Sequence, residues 1–136
     1  MSKFAEVLAA NAAFYAAFGQ GDRAAMHELW ARRGTVSCIH PGWPPVHGRD
    51  KVMSTWEGIL DDPPRPAVRP VREVANVVGD TGVVVCYEAI GKVILAATNI
   101  FVREDGAWRM IHHQAGITER APKDVVESDK APPRVH

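Results

Sequence analysis

VVVCYEAIGKVILAATNIFVREDGAWRMIHHQAGIT, residues 83–118, is the stretch that decides the fold. Gly91-Lys92 and Asp105-Gly106 cut it at two hairpin turn signals, and the runs between them are β-branched and aromatic with a period of two. The stretch reads as three strands of a meander, Val83–Ile90, Val93–Glu104 and Trp108–Thr118. Upstream, Val68–Val78 has the same period and joins through Gly79-Asp80-Thr81-Gly82, which adds a fourth strand. Both sides of the later strands are apolar. Ile100, Val102 and Ile111 lie on one, and Phe101, Trp108 and Met110 on the other. An antiparallel sheet usually keeps one face wet, so two apolar faces ask for two covers, one of them a second copy of the chain.

Toward the N-terminus the period changes. Phe4, Val7, Leu8, Asn11, Phe14, Tyr15 and Phe18 recur at helical spacing behind Ser2 as N-cap, and Gly19-Gln20-Gly21 ends that helix. Asp22 caps a second helix with Met26, Leu29 and Trp30 on its stripe. Arg32-Arg33-Gly34 closes it, with cations at the negative end of the dipole and a glycine free to take positive φ. Thr35–His40 is a short strand stopped by Pro41-Gly42-Trp43-Pro44-Pro45, and a third helix runs from about Arg49 to Leu60. Asp61–Pro66 is a stiff linker within one domain. From Glu119 the chain turns polar and Pro-bearing and reads as a frayed tail. Helices first and strands after indicate an α+β class, with a curved, mostly antiparallel sheet and three helices around a small cavity. Residues 1–118 form the pocket domain and 119–136 the tail.

Composition narrows the partners. The 136 residues carry 16 basic and 16 acidic side chains, so no broad basic field exists to hold nucleic acid or an anionic membrane. A formal net charge of zero mildly favours self-association. Cys38 and Cys86 sit in strand-like runs and read as reduced, buried thiols; with no leader-like apolar segment, the expected compartment is the cytoplasm. Phosphate-binding glycine loops and a nucleophile elbow are absent.

Turn register then assigns faces. With two-residue turns at Gly91-Lys92 and Asp105-Gly106, Cys86 opposes Ala97, Glu88 opposes Leu95, Asn99 opposes His112 and Ala97 opposes Gln114. One face carries Cys86, Glu88, Asn99, Phe101, Met110, His112 and Gln114; the other carries Tyr87, Thr98, Ile100, Ile111 and His113. A one-residue slip would invert a strand. The mixed face suits a small-ligand site; the alternative is a buried polar network. Glu88 either orients His112 or is solvated. His40, at a strand end, is either a functional imidazole or one bonded to a loop carbonyl. Trp30, Trp43 and Trp56 either rim the pocket or fill the core, Trp43 being the better rim candidate on its Pro-rich loop. His112 and His113 are adjacent on a strand and cannot share a metal ion, and no metal or cofactor is expected. The thiols read as inert.

Four segments carry a resemblance: Gly21-Asp22, His40-Pro41-Gly42, Gly48-Arg49-Asp50 and Arg103–His113. In this order, over residues 4 to 118, they resemble the SnoaL-like branch of the nuclear-transport-factor-two-like superfamily. The closing Trp-x-x-x-His also looks like the association domain of calcium/calmodulin-dependent kinase. The resemblance implies a cone-shaped domain with a deep pocket, usually a homodimer through the outer sheet face. It implies no single activity, since relatives include isomerases, cyclases, dehydratases and assembly modules. Where ketosteroid-isomerase relatives place an Asp base before a Pro, this chain has His40 before Pro41. Where they place a first-helix Tyr, it has Phe14, with Tyr15 beside it about 100° round the helix. The expectation is therefore a homodimer that binds a small apolar or mixed-polarity molecule. Acid–base chemistry would fall to His40 and His112, and Tyr15, Trp30, Trp43, Trp56, Cys86, Glu88, Asn99 and Gln114 would line the site. The alternative is a non-catalytic binding or assembly module.

Overall fold

The computed structural model describes residues 2–61 and 67–130. The elements run α1 (Lys3–Gln20), α2 (Arg23–Leu29), β1 (Ser37–Ile39), β2 (Val46–His47), α3 (Arg49–Asp61), β3 (Arg69–Val78), β4 (Thr81–Ile90), β5 (Val93–Glu104), β6 (Ala107–Ile117) and α4 (Lys123–Lys130). The fold is α+β, with six strands in one sheet ordered β2-β1-β6-β5-β4-β3. Every neighbouring pair is antiparallel except β1 with β6. Positions 62–66 of the expected linker, and 131–136 of the expected tail, lie outside the described residues.

Local chemistry explains the helix ends. Ser2 accepts from the Ala5 amide at 3.1 Å, and Asp22 accepts from the Ala25 amide at 3.0 Å. Gly21 takes φ 64°, and the amides of Gly21 and Asp22 return to Phe18 and Ala17 carbonyls. The end of α2 differs from expectation. Gly34 does not adopt positive φ, and the cap comes from a distant residue. Arg49 donates to the carbonyls of His27, Trp30 and Ala31 at 2.8, 2.7 and 3.2 Å, satisfying groups the helix leaves open. The amides of Arg32 and Arg33 donate to the Glu104 carboxylate at 2.9–3.1 Å, tying the exit of α2 to the sheet. These amides hold the Glu104 carboxyl below its ordinary range, overcoming the opposite push of burial.

Helices α1, α2 and α3 cover one face of the sheet, and α1 comes unusually close. A Cβ on Gly82 would lie 2.6 Å from Val7 Cγ2, so only glycine admits α1 at that distance. Gly82 is thus a packing residue inside β4, and the turn is Gly79-Asp80 alone. A core of Phe14, Met26, Trp30, Val52, Trp56 and Phe101 fills the gap. Two further features depart from the sequence expectation. After the Pro41–Pro45 stop the chain returns as the two-residue strand β2. The tail forms α4, and Val125 is buried against Ala89 and Ile94 on the outer face.

Candidate functional site

A β-bulge sets the inner wall. The turn registers are as expected: Ile90 pairs with Val93, Glu104 with Ala107, and Glu88 with Leu95. Between them, however, Ile100 pairs with His112 while Phe101 pairs with Met110, leaving Ile111 as an extra residue in β6. Beyond this point every β6 side chain changes sides. Asn99 opposes His113, Ala97 opposes Ala115, and Thr98 opposes Gln114. The expectation that His112 and Gln114 face the pocket is therefore corrected. His112 lies on the outer face, 2.7 Å from Ser37 Oγ through Nδ1, and Gln114 is exposed there. His113 takes the inner position and is 2% exposed.

His113 completes a buried polar ladder. Asn99 accepts from His113 Nδ1 through Oδ1 at 2.6 Å, and its Nδ2 donates to Asn11 Oδ1 at 2.8 Å and to Tyr15 OH at 3.1 Å. Tyr15 in turn donates to Glu88 Oε2 at 2.6 Å. An amide oxygen only accepts, so His113 carries its proton on Nδ1 and presents a lone pair at Nε2. That lone pair stands 4.0 Å from Glu88 Oε2. Burial, helped by neighbouring His40 and His112, pushes the His113 pKa down to about 3, so the ring is neutral at pH 7. Burial also raises Glu88, against the opposing pull of the Tyr15 hydrogen bond, and raises Tyr15. The wall thus holds an unprotonated imidazole nitrogen beside a carboxyl that favours its neutral form.

His40 approaches from β1. Thr55 gives its hydroxyl proton to the Val52 carbonyl at 2.7 Å, so at 2.9 Å it accepts from His40 Nε2. His40 is therefore the opposite tautomer, with Nδ1 bare, and burial lowers its pKa to about 4. Its ring lies edge-on to Trp43 at 5.0 Å and to Trp56 at 4.8 Å, and 6.3 Å from the ring of His113. Cys38 Sγ is 3.5 Å from His40 Nε2, and burial pushes the thiol up to about 12. Cys86, 3.6 Å from Tyr15 OH, is pushed up to about 11 by burial. Both cysteines are free and protonated, as inert thiols would be.

A cavity of about 240 Å³ opens onto this wall. Glu88, His113 and His40 supply its polar groups, and Phe18, Trp43, Ile59, Val68, Ile90 and Leu95 its apolar ones. Of the expected site residues, the structure brings together His40, Trp43 and Glu88 at the cavity, and Tyr15 and Asn99 behind it. Trp56 is 1% exposed and packs edge-on against Phe14, Phe18 and His40, backing the site from within the core. Trp30 is fully buried beside Met110 and is core only. Sequence reasoning missed His113, Asn11 and Thr55. One signal for His113 was present: past Ile111, polar Gln114 and apolar Ala115 alternate correctly only if odd positions face inward. Among the described residues, no group of three or more His, Cys, Asp or Glu converges to hold a metal ion.

No curated protein matches the chain. Among solved structures, it is similar to a dehydratase candidate of the NTF2-like family from Streptomyces avermitilis, with 30% identity over 86% of this chain and 96% of that one, and a TM-score of 0.79. A candidate calcium/calmodulin-dependent protein kinase type II association domain from Thiobacillus denitrificans is 31% identical over 82% of this chain and 94% of that one, with a TM-score of 0.70. The CaMKII hub of S. rosetta, at 16% identity, shares the fold, covering 87% of this chain and 98% of that one with a TM-score of 0.74. The family model of the SnoaL-like domain matches residues 7–118, from the second turn of α1 to just past β6, and the chain belongs to that family.

Proposed function

We propose that this chain binds a small, largely apolar molecule in the His40–Glu88–His113 cavity and moves a proton on it, in a reaction of the dehydratase type. The observation that carries this reading is the His113–Glu88 pair on the cavity wall, with Asn99 fixing the tautomer. In a dehydration, His113 Nε2 takes a proton from carbon next to an activated centre. Glu88 gives its proton to the departing hydroxyl, which leaves as water. The pair is then His⁺ and carboxylate, and return of the proton from His113 to Glu88 resets the site with atoms and charge balanced. A pKa of about 3 leaves the lone pair free at neutral pH. Loss of the Glu88 proton creates an anion that stabilises the imidazolium as it forms. His40, held by Thr55, faces the cavity as a fixed polar group that orients the ligand.

The similarity to a dehydratase candidate favours this class over others in the family. A panel of small β-hydroxy ketones, followed by the ultraviolet absorbance of the conjugated product, tests it. Turnover that falls at least a hundredfold in both His113→Asn and Glu88→Gln, with folding retained, supports the reading. Panel-wide inactivity with no thermal stabilisation by any member would exclude it.

A second reading is a non-catalytic binding or assembly module, favoured by the similarity to the association-domain candidate. In either case we infer a homodimer through the outer sheet face, where Val74 and Val85 are 58% and 48% exposed. Two buried free thiols suit a reducing, cytoplasmic setting. No helix among the described residues is long and apolar enough to cross a membrane.

A further inference from the structure

A second hollow lies against the outer wall of the cavity. Trp43 and Ile59 line the cavity and also line this hollow of about 450 Å³ on the surface of α3, together with Ser54, Thr55 and Gly58. The two spaces therefore share a wall, and Thr55, which holds His40, lies on the outer side of it. The inner space alone is small for a complete ligand site, since such pockets generally exceed about 300 Å³.

Gly58 is the second observation. It sits in the interior of α3, where glycine is among the poorest helix formers. Nothing in the fold requires it: φ is not positive there, and an added Cβ would meet no atom within 4 Å. Gly82 gives the contrast, because there a Cβ would strike Val7. What the missing side chain at position 58 does provide is open space beside Trp43.

We propose that the hollow over Gly58 receives the tail of the same molecule whose head lies between His113 and Glu88. The ligand is then elongated, with a small neutral oxygen-bearing head and an apolar tail that passes between Trp43 and Ile59. The head is neutral because the inner cavity offers a neutral imidazole and a carboxyl that resists ionisation, and no cation. The tail is apolar because the shared wall is an indole and an isoleucine. Trp43, 46% exposed and edge-on to His40, would be the residue that selects tail shape. This inference rests on the binding reading of the inner cavity.

The test uses 4-n-alkylphenols from phenol to 4-octylphenol, titrated by calorimetry into the full chain and into Gly58→Leu, Gly58→Ala and His113→Asn. Both Gly58 variants should melt at or above the parent temperature, since each improves helix propensity. If Gly58→Leu fails to fold, Ser54→Leu on the same hollow replaces it. Affinity should rise up to about fourfold per methylene through the longer members. Gly58→Leu should leave phenol within about twofold and weaken 4-octylphenol by at least about tenfold. Equal effects of Gly58→Leu at every chain length would overturn the tail site while leaving the head site standing. Phenol that does not bind, or binds His113→Asn equally well, would overturn the head site and the extension with it.

Discussion

The two faces of the sheet show opposite treatments of the same strands. On the inner face, Asn11, Tyr15, Glu88, Asn99 and His113 are nearly free of solvent and linked into one ladder. On the outer face, Gln114 and Val85 are exposed and His112 is half-buried, hydrogen-bonded to the Ser37 hydroxyl. A polar group on the inner face has no water to fall back on, so each one depends on its neighbour. Identical residue types on β6 carry very different weight according to which face of the sheet the bulge turns them to.

The largest expected effect is on stability against acid. His40 and His113 have folded pKa values lowered from 6.5 to about 4 and about 3 by burial. The unfolded chain therefore binds protons first as pH falls. The stability these groups permit is fully present above pH 6.5 and drains away toward pH 4 and below. Each should account for on the order of 3 kcal/mol. Urea unfolding at pH 7, 5.5 and 4 should show a steep fall, and His113→Asn should flatten it. Glu88 works in the other direction. Its folded pKa is raised, so its contribution is present below the ordinary carboxylate value of 4.5 and lost as pH rises through the folded value. Glu88→Gln should raise stability at pH 8 relative to pH 5.

Breaking the ladder comes next. Asn99→Ala strands His113 Nδ1 and Asn11 Oδ1 in a dry core and should cost about 2–4 kcal/mol in chemical denaturation. Gln114→Ala, close by on the opposite face, should stay within about 0.5 kcal/mol. Equal costs would dissolve the distinction between the faces. Gly82→Ala presses a methyl into Val7 and should cost about 1–3 kcal/mol. The smallest change in fold stability, under about 0.5 kcal/mol, is expected for Val85→Glu on the outer face. If two copies meet there, light scattering should nonetheless show the dimer dissociating; an unchanged mass would remove that face from the interface.

The outline of this fold was open to a reader of the chain because its signals are local. Ser2, Asp22 and the Gly91-Lys92 and Asp105-Gly106 turns act through nearest neighbours, and each lies where those neighbours require. What escaped was set by distant partners. Arg49 caps α2 from α3, and the Ile111 bulge arises from the way β6 must meet both Phe101 and His112's partner Ile100. One unpaired residue was enough to exchange His112 for His113, because side chains alternate with a period of two. His40, Glu88, Asn99 and Tyr15 were recognisable as polar groups in apolar runs. That Glu88, Asn99 and Tyr15 form one ladder depends on α1 lying against β4 and β5, which no periodicity reveals. The helix in the tail was hidden by its polar composition, since among its described side chains only Val125 is deeply buried.

Nitrogen-detected NMR of the histidine rings, recorded from pH 7 to pH 5, tests the central claim most directly. A neutral His113 protonated at Nδ1 throughout this range, and a neutral His40 protonated at Nε2, are the expected result. A His113 ring protonated at Nε2, or one that becomes an imidazolium above pH 5, would leave no lone pair facing Glu88 and would contradict that claim.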